Sequence, residues 1–426
     1  MEALLRKKCY LCANMDYRII APERVVGDID LPASKSISNR ALIINALAEG
    51  GSFISNVANC DDTDAMVSAL SEDAVDYVNI GAAGTAMRFL TAYFAVQGNR
   101  SVLLDGSERM RHRPIGVLVN ALRSCGACIE YECEEGFPPL RITGGVLSSH
   151  EITVSGNVSS QYISALLMIA PLIDGMERVK LTDNVISRPY IDMTLSLMAQ
   201  FGVKTHWDGN DVVIEKGTGY KKVDFTVEND WTAASYWFQI QSLLSESQIT
   251  LCGLFADSSQ GDSAVARLFE PFGVRCLRIG NNLGLCSDKA ALHDFVEMNL
   301  IENPDLAQTI VVTACLLERP FHITGLQTLK IKETDRIEAL RSQLLKLGYV
   351  ITVGEDLSLS WDGTKCDVEE CIMIETFEDH RMAMAFAPAS IKFPGIIIKN
   401  AEVVSKSYPD YWNHLRNAGF KLEEVK

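Results

Sequence analysis

No apolar run in this sequence comes near the roughly 18 residues that a membrane-spanning helix needs. The longest, residues 165–173, fits a core helix instead. No apolar stretch follows Arg6, Lys7 and Lys8, so no secretory leader is expected and the chain is expected in the cytoplasm. Gly/Ser linkers and low-complexity segments are missing, which excludes lobes on long tethers. The glycines of a phosphate-binding P-loop are missing, as is a G-x-S-x-G nucleophile elbow. Positive charge is scarce: 39 Lys and Arg stand against 55 Asp and Glu, a formal net charge of −16. That balance argues against nucleic-acid binding by bulk electrostatics and makes any local cluster of Lys and Arg more telling. None of the seven histidines stands at zinc-finger spacing from the C-x-x-C pairs Cys9/Cys12 and Cys125/Cys128, and no His/Asp/Glu ligand set is clustered. No metal and no cofactor is expected. The twelve cysteines read as scattered buried thiols in a reducing compartment.

What is present is ample apolar material. With 47% hydrophobic and 22% charged residues over 426 positions, the chain is globular and long enough for two or three domains. One pattern repeats: an apolar helical stretch, a glycine, then a strand. The glycines are Gly126, Gly202, Gly273, Gly348 and Gly419, at a period of a little over seventy residues. Glycine there fits the left-handed position that closes a helix, and the period reads as repeated α/β units. A sixth, degenerate copy is expected near residues 65–75, where no glycine closes the helix. The repeats divide near residues 225–230, and a helix follows over 231–244. Residues 17–20 and 25–31 read as strands, and 1–14 as a disordered extension.

The chemistry gathers at helix starts. In Ser34-Lys35-Ser36-Ile37-Ser38-Asn39-Arg40, Lys35 precedes the first turn. Ser36 and Arg40 share one face, and Ile37, Ala41, Ile44 and Ala48 share another. Two cations and a hydroxyl beside free backbone N–H groups suit a phosphate or carboxylate, although a solvated cap reads equally well from this stretch alone. Similar starts recur at Gly84-Thr85-Ala86-Met87-Arg88 and at Arg109 to Pro114, with Pro114 read as the first helical residue. They recur again at Ser159-Ser160-Gln161-Tyr162 and Ser187-Arg188-Pro189-Tyr190. Asn303-Pro304-Asp305, Lys332-Glu333-Thr334-Asp335-Arg336, Asp379-His380-Arg381 and Lys406-Ser407-Tyr408-Pro409 complete the set. Lys332 and Arg336 are read as sharing one helical face. Any one start is ordinary. Seven or eight in a repeat protein point to helices aimed at a common anion-attracting cleft, with Asp305 and Glu333 as general acid/base candidates among the cations.

In order from residue 34 to 410, Ser34–Arg40, Gly84–Arg88, Arg113–Gly116, Ser159–Tyr162, Lys332–Arg336, Asp379–Ala383 and Lys406–Asp410 resemble the signatures of the 5-enolpyruvylshikimate-3-phosphate (EPSP) synthase family of enolpyruvyl transferases. The resemblance implies an α/β fold of two lobes, each an inside-out barrel of three βαβαββ units. One lobe would span 15–33 plus 228–426 and the other 34–227, with the active site between them. It implies transfer of the enolpyruvyl group of phosphoenolpyruvate to the 5-hydroxyl of shikimate 3-phosphate by addition and elimination, with no cofactor. Ser36, Arg40, Ser159, Ser160, Ser187, Tyr190, Asp305 and Lys332 would hold shikimate 3-phosphate. Gly84, Arg113, Arg336, Arg381 and Lys406 would hold phosphoenolpyruvate, and Lys35 and Gln161 belong to both groups. Asp305 and Glu333 would manage protons, with Lys332, Lys35 and His380 close by. Three departures from the family pattern stand out: Ala82 for a usual Asn, Thr328 for another, and a short segment over 61–81 that suggests a lost hairpin. The missing amide at 82 is expected to weaken phosphoenolpyruvate binding and to bring glyphosate tolerance. The alternatives are the sister transferase acting on UDP-N-acetylglucosamine, and a non-catalytic anion-binding relative. The sister family's loop cysteine is missing from residues 109–113. RNA 3′-phosphate cyclase shares related repeats, but no nucleotide motif is present. A monomer is expected.

Overall fold

The computed structural model describes residues 15–48, 53–71, 76–98 and 100–425. The expected extension 1–14, with Cys9 and Cys12, lies outside the described residues. Buried apolar side chains form two separate cores. One is built from residues within 33–227, the other from 17–31 together with 231–420. At the centre of each lie helices with apolar residues on every side, and such helices must be enclosed. All residues of Gly84–Ala95 are buried in one core, and all of Ala307–Leu316 in the other.

Small sheets cover these helices, and five of them repeat one order. A parallel pair carries an antiparallel hairpin. Glu151–Ser155 lies parallel to Arg178–Thr182, followed by antiparallel Asp211–Ile214 and Thr205–Asp208. The same order holds for Tyr77–Asn79, Ser101–Asp105, Leu140–Thr143 and Cys128–Tyr131. The N-terminal strand Asp16–Ile20 completes the last sheet, between Ile396–Ile398 and Lys421–Val425. The sixth sheet pairs only Ile54–Ser55 with Phe225–Thr226, in parallel, and among the described residues no hairpin follows. The short segment at 61–81 thus has a structural counterpart: the helix Asp61–Leu70 ends at Ser71 without a glycine cap.

The five periodic glycines all have positive φ, between 76° and 98°. Each is followed by a residue whose N–H reaches back five positions, as from Ala127 to Leu122 O and from Tyr349 to Leu344 O. This is the Schellman closure, which needs a left-handed residue at C′.

Two crossovers join the lobes side by side. Ser34 N donates to Glu228 O and Asp230 N to Pro32 O, both at 2.8 Å. The Glu228 carboxylate is buried there and accepts from Trp231 Nε1, Phe255 N, Ser258 Oγ and Gln260 Nε2 at 2.6–2.8 Å. A buried carboxylate so fully satisfied pins the crossover. Of the cysteines, Cys60, Cys125 and Cys315 are buried, whereas Cys128, Cys133, Cys286, Cys366 and Cys371 are exposed. The expectation of buried thiols throughout is therefore corrected. Edge strands and loops take cysteine on their solvent face as readily as any small residue.

Candidate active site

Between the two lobes lies a cavity of about 180 Å³. Seven helix starts border it. Lys35 begins Lys35–Leu47 as its first helical residue, so it sits inside the first turn rather than before it, with Ser34 as the cap. Gly84 opens Gly84–Ala95, Ser159 caps Ser160–Ile169, and Ser187 caps Arg188–Gln200. Asp305 lies in the turn Pro304–Leu306 that leads into Ala307–Leu316. Arg336 begins Arg336–Lys346, and His380 begins His380–Phe386. Free N–H groups and the positive ends of helix dipoles therefore converge on one space. Six cationic side chains line it, from Lys35, Arg88, Arg113, Lys332, Arg336 and Arg381, against three carboxylates, from Asp62, Asp305 and Glu333. In a chain of net charge −16 this is a local reversal of sign.

The carboxylates are held in a lattice of cations. Arg336, 1% exposed, donates through Nε to Asp379 Oδ2 at 2.6 Å, through Nη1 to Asp305 Oδ1 at 3.1 Å and through Nη2 to Glu333 Oε2 at 2.8 Å. Arg381 Nη2 donates to Asp305 Oδ2 at 2.8 Å, and Lys332 Nζ stands 3.6 Å from Asp305 Oδ1. Lys332 and Arg336 do not share a helix as the sequence suggests. Asp335 caps the helix between them, and the two meet at Asp305 from either side of that cap. Burial by itself would raise the Asp305 pKa, but Arg381, Lys332 and Arg336 overcome it and hold the carboxyl far below the usual range. Glu333 is likewise held well below its ordinary value, as Arg336 and Arg113 outweigh burial. Burial, with Lys35 and Arg381 nearby, drives His380 well below an ordinary imidazole, so its ring is neutral at pH 7. Burial pulls Lys35 down, yet Asp62 at 3.1 Å leads the neighbours that leave it above the usual lysine value.

Some polar groups are buried without a protein partner: both ring nitrogens of His380, Arg113 Nε and Thr328 Oγ1, all from residues lining the cavity. Such atoms cost free energy unless a ligand or water meets them. Gly84 is required by close approach, because a Cβ there would stand 2.6 Å from Arg113 Nη1.

Lys35, Ser36, Gly84, Arg113, Ser159, Ser160, Gln161, Ser187, Asp305, Lys332, Glu333, Arg336, His380 and Arg381 all line the cavity. Arg40, Tyr190 and Lys406 do not. Arg40 is buried behind it, donating to Thr194 Oγ1 at 2.7 Å, Ser164 Oγ at 3.2 Å and Ser36 O at 2.9 Å. The Tyr190 hydroxyl donates to Asp262 Oδ1 at 2.7 Å. Lys406 Nζ donates to Glu378 O at 3.1 Å. Pro114 is not a first helical residue: Arg109 and Arg111 belong to the short helix Glu108–Arg111, and the next helix, Gly116–Ser124, starts later. Pro189 is the second residue of the helix Arg188–Gln200. Ala82 lies on the turn before Gly84, off the lining.

Sequence reasoning gave no role to Asp62, Arg88 or Asp379. Asp62 stands in the first turn of Asp61–Leu70, and only the fold brings it to Lys35. Arg88 carried a signal, its four-residue spacing from Gly84, whose carbonyl it holds at 3.1 Å. Among the described residues, no group of three or more His, Cys, Asp and Glu could hold a metal ion, and no helix is long and apolar enough to cross a membrane.

Comparison with known proteins agrees with this geometry. The family model described as EPSP synthase (3-phosphoshikimate 1-carboxyvinyltransferase) matches residues 19–76 and 71–415. A 3-phosphoshikimate 1-carboxyvinyltransferase of Bacteroides fragilis (strain YCH46) is 52% identical over 415 residues, covering 96% of this chain and 99% of the relative. One from Vibrio cholerae serotype O1 (strain M66-2) is 35% identical over 418 residues, covering 92% and 96%. The solved EPSP synthase of Acinetobacter baumannii superposes with a TM-score of 0.77 over 97% of this chain and all of that one. At 21% identity it speaks for the fold alone. The two-lobed enolpyruvyl-transferase fold, the converging helix starts and the matches along nearly the whole length agree: the chain belongs to the EPSP synthase (3-phosphoshikimate 1-carboxyvinyltransferase) family.

Proposed function

We infer that the chain performs its family's reaction at this cavity: 3-phosphoshikimate 1-carboxyvinyl transfer, a step of the shikimate pathway to aromatic amino acids. The observation that carries the reading is the convergence of seven helix N-termini and six cations on one interlobe space. Shikimate 3-phosphate and phosphoenolpyruvate are both polyanions, and placing them in contact costs Coulomb repulsion that only a dense cationic frame offsets. Arginine adds paired donors matched to carboxylate and phosphate oxygens.

The reaction sequence sets what the residues must do. The methylene carbon of phosphoenolpyruvate gains a proton while the 5-hydroxyl oxygen bonds to the adjacent carbon and loses its own. The methyl group of the tetrahedral intermediate then loses a proton, its electron pair re-forms the double bond, and the C–O bond to phosphate breaks to release phosphate. Asp305 faces the hydroxyl and Glu333 the methylene carbon. While three cations grip Asp305, it is a poor base. Substrate anions that draw Lys332, Arg336 and Arg381 toward themselves relax that grip and raise the basicity of Asp305 toward the working range. Neutral His380, with both nitrogens free, can pass or accept a proton beside Glu333. Ser36, Ser159, Ser160, Gln161, Ser187 and Lys332 hold shikimate 3-phosphate, with Arg40 and Tyr190 bracing that side. Lys35, Gly84, Arg113, Arg336 and Arg381 hold phosphoenolpyruvate, and Lys406 joins them by leaving the Glu378 carbonyl.

The lobes divide as 15–33 plus 228–426 and 34–227, in keeping with the two cores. Two lobes, each with its own core, do not demand a partner, so we read the chain as a monomer, and the substrates are metabolites of the cytoplasm. The test is phosphate release from the two substrates together. Release that requires both supports the reading; binding of both without release overturns it.

A further inference from the structure

Behind the phosphoenolpyruvate side lies a cluster of tyrosines that the reaction chemistry does not use. Lys406 ends the turn Ala401–Lys406, and the chain beyond it folds back: Tyr408 N donates to Val404 O at 2.8 Å. Tyr408 is 1% exposed. Its ring meets those of Tyr411 and His414 edge-on, with centroids 5.4 and 5.5 Å away. Its hydroxyl is held twice. Trp237 Nε1 donates to it at 3.2 Å, and it stands 2.7 Å from His414 Nδ1. An indole N–H only donates, so it occupies the phenol oxygen and leaves the hydroxyl proton for His414. Burial holds His414 below an ordinary imidazole, against the pull of Asp410 and Asp30, so the ring is neutral at pH 7 and Nδ1 can accept.

The cluster reaches the cations from there. The Tyr411 hydroxyl donates at 2.9 Å to Met384 O, in the helix His380–Phe386 that carries Arg381. The Tyr411 ring also meets that of Tyr236, with centroids 5.8 Å apart. Tyr236, Tyr408 and Ser407 in turn share with Lys35 and Arg381 the lining of a second cavity, of about 20 Å³. That is room for a single water, so little between the rings and the cations can yield.

We propose that Tyr408 is a positioning residue for phosphoenolpyruvate: tethered to Trp237 and to His414, it fixes the backbone that presents Lys406 at a set place relative to Arg381 and Lys35. Tyr408 stands off the interlobe cavity and acts through Lys406. A lysine ammonium rides on a flexible stem, and a rigid anchor lowers the ordering cost of bringing it to a ligand. The inference rests on the substrate reading above, in which Lys406 joins the phosphoenolpyruvate cations.

Steady-state phosphate release, with each substrate varied while the other saturates, tests the role. Tyr408→Phe keeps the ring and drops the hydroxyl. It raises the KM of phosphoenolpyruvate about tenfold, while the KM of shikimate 3-phosphate and kcat stay within about twofold. His414→Leu gives the same split, because Tyr408 loses its acceptor. His414→Asn, whose amide oxygen stands near the place of Nδ1, returns the phosphoenolpyruvate KM to within about twofold of wild type. Circular dichroism checks folding, and the His414 pair, at a half-buried position, decides the matter where Tyr408→Phe does not fold. An unchanged phosphoenolpyruvate KM in folded Tyr408→Phe overturns the proposal. So does an equal rise in both KM values, the mark of a merely structural loss, and so does a His414→Asn variant no better than His414→Leu. Wild-type phosphate release is measured first: its absence overturns the reaction itself, whereas release with unsplit KM values in the variants overturns only the positioning role.

Discussion

Lys35 shows how a single residue carries two roles that mutation can separate. Its ammonium faces the cavity and also neutralises Asp62, whose side chain is only 9% exposed. Lys35→Ala should lower kcat/KM by about 100-fold, the scale of losing one preorganised charge at a reacting centre. It should also cost about 3 kcal/mol of stability, because a buried carboxylate is left unpaired. Adding Asp62→Asn should return most of the stability, read by chemical denaturation, and none of the activity. Equal recovery of both would make the lysine structural. His380 carries a pH signature. The folded chain keeps its ring unprotonated below the ordinary 6.5, whereas the unfolded chain takes up a proton there. Stability should therefore fall as pH drops from 7.5 to 5.5, and His380→Gln should flatten that fall. His414, also lowered chiefly by burial, leaves a residual slope. An identical slope in the variant would place the linkage elsewhere. At position 82, Ala82→Asn should lower the KM for phosphoenolpyruvate and increase inhibition by glyphosate. Unchanged values would remove the position from the binding side. These residue assignments were legible where a side chain sits within four residues of a helix start. Asp62 was not, because its partner lies 27 positions away.

The repeated element makes its own prediction. Five helices end in a glycine with positive φ, but the surroundings of these glycines differ. A Cβ at Gly126 meets nothing within 4 Å, whereas at Gly348 it would stand 2.9 Å from Cys366 O. Gly126→Ala should then cost about 1 kcal/mol, the left-handed penalty alone. Gly348→Ala should cost more, because backbone must also shift. Denaturant midpoints of the two variants check the order, and the reverse order would show that φ is not what these positions select. The elements themselves were readable in the sequence because capping chemistry is local. Helix and strand identity followed from the glycine period, and the sixth unit was recognisable by the missing glycine. Misread were joins that depend on tertiary contact: Lys332 and Arg336 flank a cap instead of sharing a helix, and Pro114 precedes a helix it does not start.

At the scale of the molecule, a net charge of −16 surrounds a cleft lined by twice as many cations as acids. Anionic substrates must cross an unfavourable outer field and are then captured by a strong local one. Screening weakens exposed charges more than enclosed ones. Arg109, whose Nη1 bonds Phe377 O and Glu378 Oε2 across the lobes, is half-buried and its partner Glu378 exposed, so this ion pair contributes little once salt is present. Raising KCl from about 50 to about 300 mM should therefore screen the repulsive outer field more than the enclosed cations and lower the KM of both substrates modestly, with kcat nearly constant. A fall in kcat at fixed KM would instead place the salt effect on the enclosed ion lattice.

The sequence by itself determined the helix starts, their caps, the glycine closures and the chemical character of the residues gathered there. Each depends on groups within a turn or two of one another, where backbone geometry leaves few alternatives. Only the tertiary structure decided which charges meet. Asp305 is gripped by Lys332, Arg336 and Arg381, Lys35 by Asp62, and Tyr190 by Asp262, over separations of 27 to 76 residues. It also turned Arg40 into a buried brace behind the cavity. Ion pairs and interlobe hydrogen bonds are set by packing across two cores, and no local pattern in the chain encodes them.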